Sequence, residues 1–169
     1  MASRGRKSNK YTDMKIQKAN HIDGVVITPL KQIMDERGKV MHMLRADSPN
    51  FKGFGEIYFS CIHRGAIKAW HIHKEMTLNY ACVLGKIKFV LVDTRADSPT
   101  CGNLMEIYIG PENYCLVTVP PYVWNGFKGI AEDISIVANC TDVGHRPDEI
   151  ERMDPFDPTI PYQWDIKHG

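Results

Sequence analysis

The sequence predicts an all-β protein, a jelly-roll barrel with little helix, on three observations. Short runs rich in Val, Ile, Tyr and Phe recur from Val25 onward. Clusters of Gly, Pro, Asn and Asp separate these runs, as at 97–99 and 110–113. No segment of about 20–50 residues repeats, which argues against a propeller or a solenoid. A double-sheet jelly roll is the simplest closed arrangement for so many short strands.

The same pattern places each element along the chain. The predicted strands cover residues 25–29, 39–44, 55–62, 66–73, 78–84, 86–93, 104–109, 114–119 and 133–139. Within 86–93, apolar side chains fill every second position while the others are mixed, which indicates a strand with one strongly apolar face. One helical turn or two is expected at 147–153, because Pro147 and Asp148 open a short run of helix-forming residues.

Composition indicates one globular domain. The chain has 169 residues, of which 43% are hydrophobic and 24% charged, so disordered, collagen-like and coiled-coil classes are excluded. Its apolar runs are far shorter than the ~18 residues that a membrane span needs. The five cysteines are an odd, widely spaced set without a C-x-x-C pair. This pattern predicts that the chain has neither disulfides nor a zinc site. Reduced cysteines indicate a cytoplasmic location.

Positive charge is concentrated at the N-terminus. Six basic side chains and one acidic side chain lie in the first 19 residues, although the net charge of the whole chain is only +1. No apolar segment follows them, which argues against a secretory signal. Without interleaved aromatics or a following basic face, neither nucleic acid nor a membrane is expected as a partner. We expect a flexible arm over 1–20 and a single jelly-roll domain over 21–169.

The chemistry is concentrated around two histidines. His71 and His73 project from the same face of the predicted strand 66–73, because side chains alternate along a strand. Gly65, His71, His73 and Gly85 have a spacing that resembles the first motif of the cupin superfamily, whose jelly roll presents ligands inside a small barrel. Both imidazoles are therefore expected to enter one cavity.

The metal-ligand set of many cupins is incomplete in this chain. The expected glutamate falls on Thr77 or Leu78, and Asn125 stands where the second motif has its histidine. Two imidazoles without a third strong donor make a poor site for a transition metal. We therefore expect neither a metal nor another cofactor.

A closer resemblance comes from an ordered series of motifs spanning about residues 24 to 164. They are Asp35-Glu36-Arg37-Gly38, Lys68-Ala69-Trp70-His71, the stretch 85–95, Pro120 with Gly126-Phe127, Cys140-Thr141-Asp142, Met153-Asp154-Pro155 and Trp164. Together they resemble the dTDP-4-dehydrorhamnose 3,5-epimerase family. The resemblance implies a homodimeric, cupin-type jelly roll (double-stranded β-helix). It also implies an isomerase of nucleotide-linked 4-keto-6-deoxy sugars in surface polysaccharide or deoxysugar biosynthesis.

The resemblance also implies roles for single residues. His71 matches the general base that removes the proton α to the ketone, and Asp154 matches the carboxylate that orients it. Such a pair suits the reaction, since a weak carbon acid needs a well-positioned base with a pKa near neutrality. The expected substrate-binding residues are Arg37, Lys68, His73, Asn125 and Glu56.

Two departures from the family leave alternatives open. The family's tyrosine acid aligns with Ala138, and its enolate-stabilising lysine aligns near Leu78. Without an acid on the opposite sugar face, we expect a single epimerisation rather than a double one. His71-Ile72-His73-Lys74 also resembles the NDP-4-keto-6-deoxyglucose 3,4-ketoisomerases, in which paired histidines shuttle a proton. A further alternative is a sugar-binding cupin without catalysis.

Aromatic side chains complete the candidate set. Trp70, Trp124, Tyr58, Tyr80 and Tyr122 either stack on the sugar or base, or belong to the core. Core positions are the commoner outcome for such residues.

Overall fold

The computed structural model describes residues 15–166, and within them it contains β-strands and no helix. The strands are β1 (Gln17–Lys18), β2 (Val26–Pro29), β3 (Gln32–Asp35), β4 (Gly38–Met41), β5 (Glu56–His63), β6 (Ile67–His73), β7 (Leu78–Leu84), β8 (Ile87–Asp93), β9 (Asn103–Ile109), β10 (Cys115–Val119), β11 (Val123–Gly129), β12 (Ile134–Thr141) and β13 (Ile150–Arg152). The prediction of an all-β jelly roll is confirmed.

Two sheets face each other and a small hairpin stands apart. The six-stranded sheet has the order β1-β9-β8-β11-β6-β13, and the five-stranded sheet has the order β2-β10-β7-β12-β5. Among the strands of residues 15–166, β3 and β4 pair only with each other. Consecutive strands β5 and β6 belong to different sheets, so the chain crosses from one layer to the other between them. This crossing places residues of β5 and β6 on facing walls.

The main core fills the space between the sheets. Phe89 of β8, Phe127 of β11 and Tyr80 of β7 meet there edge to face, with ring centroids 5.1–6.3 Å apart. Such aromatic clusters bury a large apolar area and prefer edge-to-face contacts. These three rings set the distance between the two sheets.

A second core covers the outer face of the six-stranded sheet. Trp70 of β6 is fully buried there, 5.0 Å from the ring of Trp164 in the C-terminal segment. The same segment accepts a hydrogen bond of 2.8 Å from the amine of Lys88 at the Trp164 carbonyl. Trp70 and Trp124 are therefore core residues, and β8 is buried on both faces.

The expected helix at 147–153 is wrong, because part of this segment forms β13. Arg152 and Ile150 of β13 lie opposite His71 and His73 of β6. The amide of Trp70 donates to the Met153 carbonyl at 2.8 Å, and the reverse bond measures 3.1 Å. Pairing with a neighbouring strand thus overrides a weak local helix signal.

Four strands were not expected from the sequence at all: β1, β3, β11 and β13. The first of them, Gln17–Lys18, pairs in parallel with Asn103 and Leu104 of β9. Residues 1–14, which make up most of the expected N-terminal arm, lie outside the described residues, so the flexible arm stays a prediction. No helix in the described part of the chain is long and apolar enough to cross a membrane.

Candidate active site

A pocket of about 430 Å³ opens between the two sheets, in the size range of small-molecule sites. β6 and β13 form one wall and β5 forms the other. The residues that line it are Glu56, Tyr58, Ser60, Lys68, His71, His73, Met76, Tyr80, Phe127, His145, Ile150 and Arg152. The pocket therefore combines an apolar floor with a rim of titratable side chains.

His73 is paired with a carboxylate that sequence reasoning did not identify. Its Nδ1 forms a short hydrogen bond with Oε1 of Glu149, and the two residues are 5% and 1% exposed. The other carboxylate oxygen, Oε2, accepts backbone N–H groups from Lys74, Glu75 and Met76 at 3.2–3.3 Å. Because Glu149 is held at both oxygens, it fixes the orientation of the ring and leaves Nε2 of His73 free to act.

The environment keeps Glu149 ionised. Burial raises the pKa of a carboxyl group, but the hydrogen bonds from His73 and from the amides of Glu75 and Met76 outweigh it. The net result is a pKa for Glu149 below its usual value. An ionised carboxylate accepts the Nδ1–H of the imidazole and so fixes the tautomer in which Nε2 is the acceptor.

His71 has a different environment on the same face of β6. Burial lowers the pKa of His71 to about 4, and the positive charges of Arg152 and Lys68 and the neighbouring His73 act in the same direction. His71 is therefore neutral at pH 7. A neutral ring can donate one hydrogen bond and accept another.

Two cations stand close to this neutral imidazole. Arg152 lies directly opposite His71 in the β13–β6 pairing, so both side chains share one face. Arg152 makes no hydrogen bond or ion pair within residues 15–166. Lys68 reaches the same face through an irregularity in the β6–β11 register, and its amine donates to Ser60 Oγ at 2.7 Å. The wall around His71 is thus electropositive.

The facing wall presents a tyrosine hydroxyl. Tyr58 of β5 is 40% exposed and pairs with Asn139 of β12. Its side chain lies on the face of the five-stranded sheet that lines the pocket. The Asn139 amide Nδ2 donates to the Tyr58 hydroxyl oxygen at 2.8 Å. Tyr80 of β7 also pairs with Asn139, and its hydroxyl lies close enough to that of Tyr58 to interact with it. The two walls of the pocket therefore carry imidazoles and a phenol respectively.

Four of the residues expected at the site meet in this pocket. They are Glu56, Lys68, His71 and His73. Asn125 lies behind it: the residue is buried, and its Nδ2 donates to the His71 carbonyl at 3.2 Å. Its position supports the backbone of β6 without lining the cavity.

The structure does not bring the other two together with the histidines. Arg37 lies at the tip of the β3–β4 hairpin, exposed and paired with Asp35. Asp154 is exposed, and its Oδ1 accepts the Phe156 amide at 2.8 Å. Within the described residues, the carboxylate beside a β6 imidazole is Glu149.

Sequence reasoning missed Glu149 and Arg152, and only weak signals for them exist. Both lie in the segment interpreted as a helical turn, and Glu149 is 76 positions from its histidine. Alternation along β13 would have placed Ile150 and Arg152 on one face, but three residues are too few to reveal a period of two. Within residues 15–166, no group of three or more His, Cys, Asp or Glu side chains is arranged to hold a metal ion.

Comparisons with known proteins agree with this geometry. Residues 19–168 match the family described as dTDP-4-dehydrorhamnose 3,5-epimerase. A dTDP sugar isomerase of Desulfovibrio desulfuricans G20, solved by crystallography, has 46% sequence identity and a TM-score of 0.82, with 85% of this chain and 92% of that chain covered.

Two curated relatives are similar over most of their length. A Haloferax volcanii protein described as a probable low-salt glycan biosynthesis epimerase, Agl13, is 32% identical over 81% of this chain and 90% of its own. The Bacillus subtilis spore coat polysaccharide biosynthesis protein SpsL is 31% identical over 86% of this chain and 98% of its own.

Proposed function

Since this chain belongs to the dTDP-4-dehydrorhamnose 3,5-epimerase family, whose members are isomerases acting on carbohydrates, we propose that it epimerises a nucleotide-linked 4-keto-6-deoxy sugar. The predicted resemblance and the predicted enzyme class are both confirmed by this membership. The proposed reaction is a single epimerisation at a carbon next to the ketone. It serves the synthesis of a polysaccharide or a deoxysugar, as the names of the relatives Agl13 and SpsL suggest.

One observation carries the proposed mechanism: the buried His73–Glu149 pair inside a sugar-sized pocket. Nε2 of His73 removes the proton from the carbon adjacent to the ketone, and the carboxylate of Glu149 stabilises the imidazolium that results. General-base catalysis of this kind contributes roughly 10²–10⁴ in rate. In this proposal His73 and Glu149 take the roles that the family resemblance implied for His71 and Asp154.

The electropositive wall supplies the second requirement of the reaction. Removal of the proton leaves negative charge on the ketone oxygen, and preorganised donors stabilise such a charge. Arg152 and the neutral ring of His71 are placed for this role, side by side on β13 and β6. They compensate for the family lysine whose position is near Leu78 here, a buried apolar residue.

The diphosphate of a nucleotide sugar suits the cations at the pocket mouth. Lys68 donates to Ser60 Oγ and to the Cys61 carbonyl, which leaves one of its three N–H donors for a phosphate oxygen. His145 lies on the exposed loop before β13 and lines the same pocket. Arg37 does not line this pocket and has no contact with the substrate in this proposal.

A 3,4-ketoisomerase is the second candidate, and one observation favours it. Both imidazoles of β6 face one cavity, so a proton taken by one can be returned to a neighbouring carbon by the other. The two reactions give different products from one substrate. An epimer keeps the ketone at C4, whereas an isomer carries it at C3.

Incubation with a panel of nucleotide-linked 4-keto-6-deoxy sugars in deuterated water tests the proposal. NMR is expected to show deuterium at a carbon next to the ketone and an epimer with the ketone still at C4. A ketone moved to C3 would support the second candidate. Neither deuterium nor a new product with any sugar of the panel would contradict the proposed function.

We propose a homodimer for the whole enzyme. Ile57 and Phe59, on the outer side of the edge strand β5, are 48% and 61% exposed. Ile33, Met34 and Val40 of the β3–β4 hairpin are exposed as well. Apolar surface next to an open sheet edge is typical of a face that another chain covers.

We also propose a cytoplasmic location. All five cysteines of the chain are free thiols, as expected of a protein in a reducing compartment.

A further inference from the structure

Ala138, where the family resemblance implies the tyrosine acid, faces away from the pocket in this chain. It pairs with Phe59 and Ala81 on the outer side of the five-stranded sheet. The next residue, Asn139, faces the interior between Tyr58 and Tyr80. The inner wall therefore has an amide flanked by two phenols.

The amide of Asn139 is held in one orientation. The backbone N–H of Asn79 donates to its Oδ1 at 3.0 Å, which identifies that atom as the oxygen because an N–H needs an acceptor. The side chain of Asn79 is itself fixed by Thr118, whose hydroxyl donates at 2.8 Å. The Nδ2 of Asn139 is consequently a fixed donor aimed at the oxygen of Tyr58.

Tyr80 completes the surroundings of that oxygen. Burial raises the pKa of Tyr80 well above its usual value, so its hydroxyl stays protonated. It can then donate to Tyr58, whose oxygen already accepts the hydrogen bond from Asn139. A phenol oxygen with both lone pairs occupied directs its own hydrogen elsewhere, and for Tyr58 the open direction is the pocket.

We propose, on the basis of the proposed function, that Tyr58 is the catalytic acid that protonates the sugar carbon on the face opposite His73. His73 and Tyr58 stand on different sheets, so a sugar ring between them meets one group on each face. This arrangement is what inversion at a carbon requires.

The step balances in atoms and charge. His73 takes a proton from the carbon, and the electron pair of the C–H bond moves into the enolate. Tyr58 then gives its hydroxyl proton to the opposite face of that carbon, which forms a new C–H bond and leaves a phenolate. Asn139 and Tyr80 stabilise the phenolate by donating to it. Afterwards the imidazolium loses its proton to water and the phenolate regains one from water.

The variant Tyr58→Phe separates the acid from the base. Proton removal needs only His73, so solvent deuterium should still enter the substrate from the original face. Inversion needs the acid, so the epimeric product should fall by about 100-fold or more, while deuterium entry stays within roughly tenfold of wild type. The measurement is NMR of both species, with the sugar of the panel that wild type converts.

Two further variants complete the experiment. Tyr80→Phe removes one donor to Tyr58 and should lower epimer formation by roughly tenfold, which keeps the test decisive if Tyr58→Phe does not fold. Tyr108→Phe changes an exposed tyrosine on β9 that contacts Glu106, outside this pocket, and should leave both rates unchanged.

The outcomes distinguish this inference from the function on which it rests. Epimer formation at the wild-type rate in Tyr58→Phe would overturn the role of Tyr58 while leaving the epimerase intact. An equal loss of deuterium entry and of epimer in Tyr58→Phe would also overturn its role as the acid, because it would make Tyr58 a structural or binding residue. Wild-type protein that converts no sugar of the panel would overturn the proposed function and the role of Tyr58 with it.

Discussion

Glu149 and Asp154 are a matched pair of carboxylates for testing the dyad. Glu149→Gln keeps the shape of the side chain but removes the charge against His73, so deuterium entry should fall by roughly 10²-fold. Asp154→Asn preserves an acceptor for the Phe156 amide and should change the rate by less than about twofold. Initial rates of deuterium entry check both. A larger loss from Asp154→Asn than from Glu149→Gln would restore Asp154 as the supporting carboxylate.

His71 should make stability depend on pH in a defined window. Its pKa is about 4 in the folded chain against 6.5 for an ordinary histidine, so the unfolded state binds more protons between these values. Stability therefore falls as the pH drops from 6.5 towards 4, by about 1–2 kcal/mol at pH 5. Urea denaturation at pH 7 and pH 5 measures this loss.

The variant His71→Asn is the control for that titration. It removes the titrating group, so the difference in unfolding free energy between pH 7 and pH 5 should shrink by the same amount. An unchanged difference would mean that His71 titrates alike in the folded and unfolded chains.

For single residues, the sequence predicted which side chains share a face where they alternate clearly along a strand. It did not predict which distant residues contact them. Alternation within 66–73 correctly placed His71 and His73 on one face. Glu149, just before β13, and Arg152, within it, reach the pocket because β13 pairs with the distant strand β6, and a single sequence does not encode such pairing locally. The motif that resembles the family pointed to Asp154 as the supporting carboxylate. The buried carboxylate beside His73 is Glu149, five residues earlier in the chain.

Among the elements, β11 approaches β6 closely at Gly126. A Cβ on Gly126 would lie 2.3 Å from the Cβ of Ala69 and 2.9 Å from its Cα. Gly126→Ala should therefore push β11 away from the strand that carries the histidines, at a cost of about 1–3 kcal/mol. We expect a melting temperature lower by several degrees, about 2–4 °C for each kcal/mol, together with reduced deuterium entry.

Gly144 offers the matched substitution. No atom lies within 4 Å of a Cβ placed there, so Gly144→Ala should change stability by less than about 0.5 kcal/mol. Differential scanning calorimetry on both variants makes the comparison. Equal melting temperatures for the two variants would show that β6 and β11 separate without cost.

The predicted strands that were long and apolar are all present, with ends shifted by a residue or two. The unexpected strand β11 begins after Pro120-Pro121 and contains Asn125-Gly126, residues typical of turns. Burial between β8 and β6 overrides these local preferences. Strands β1 and β13 have two and three residues, too short for any period to show.

For the whole molecule, the proposed dimer is open to a direct measurement. Light scattering should give about twice the chain mass of 19.2 kDa at micromolar concentration. Phe59→Lys places a charge within the exposed apolar surface of β5 and should shift the mass towards the monomer. Phe156→Lys alters an aromatic residue that is 71% exposed outside that surface and should leave the mass unchanged. A mass near 19 kDa for the wild type would contradict the dimer.

The central claim is that an imidazole of β6, supported by a buried carboxylate, removes the proton next to the ketone. Its most direct test is the rate of deuterium entry at that carbon in wild type, His73→Asn and His71→Asn. The account predicts a loss of at least about 100-fold for His73→Asn. For His71→Asn it predicts a smaller loss, since this residue stabilises the enolate without taking the proton. Deuterium entry at the wild-type rate in His73→Asn would contradict the account, and a loss confined to His71→Asn would make His71 the base.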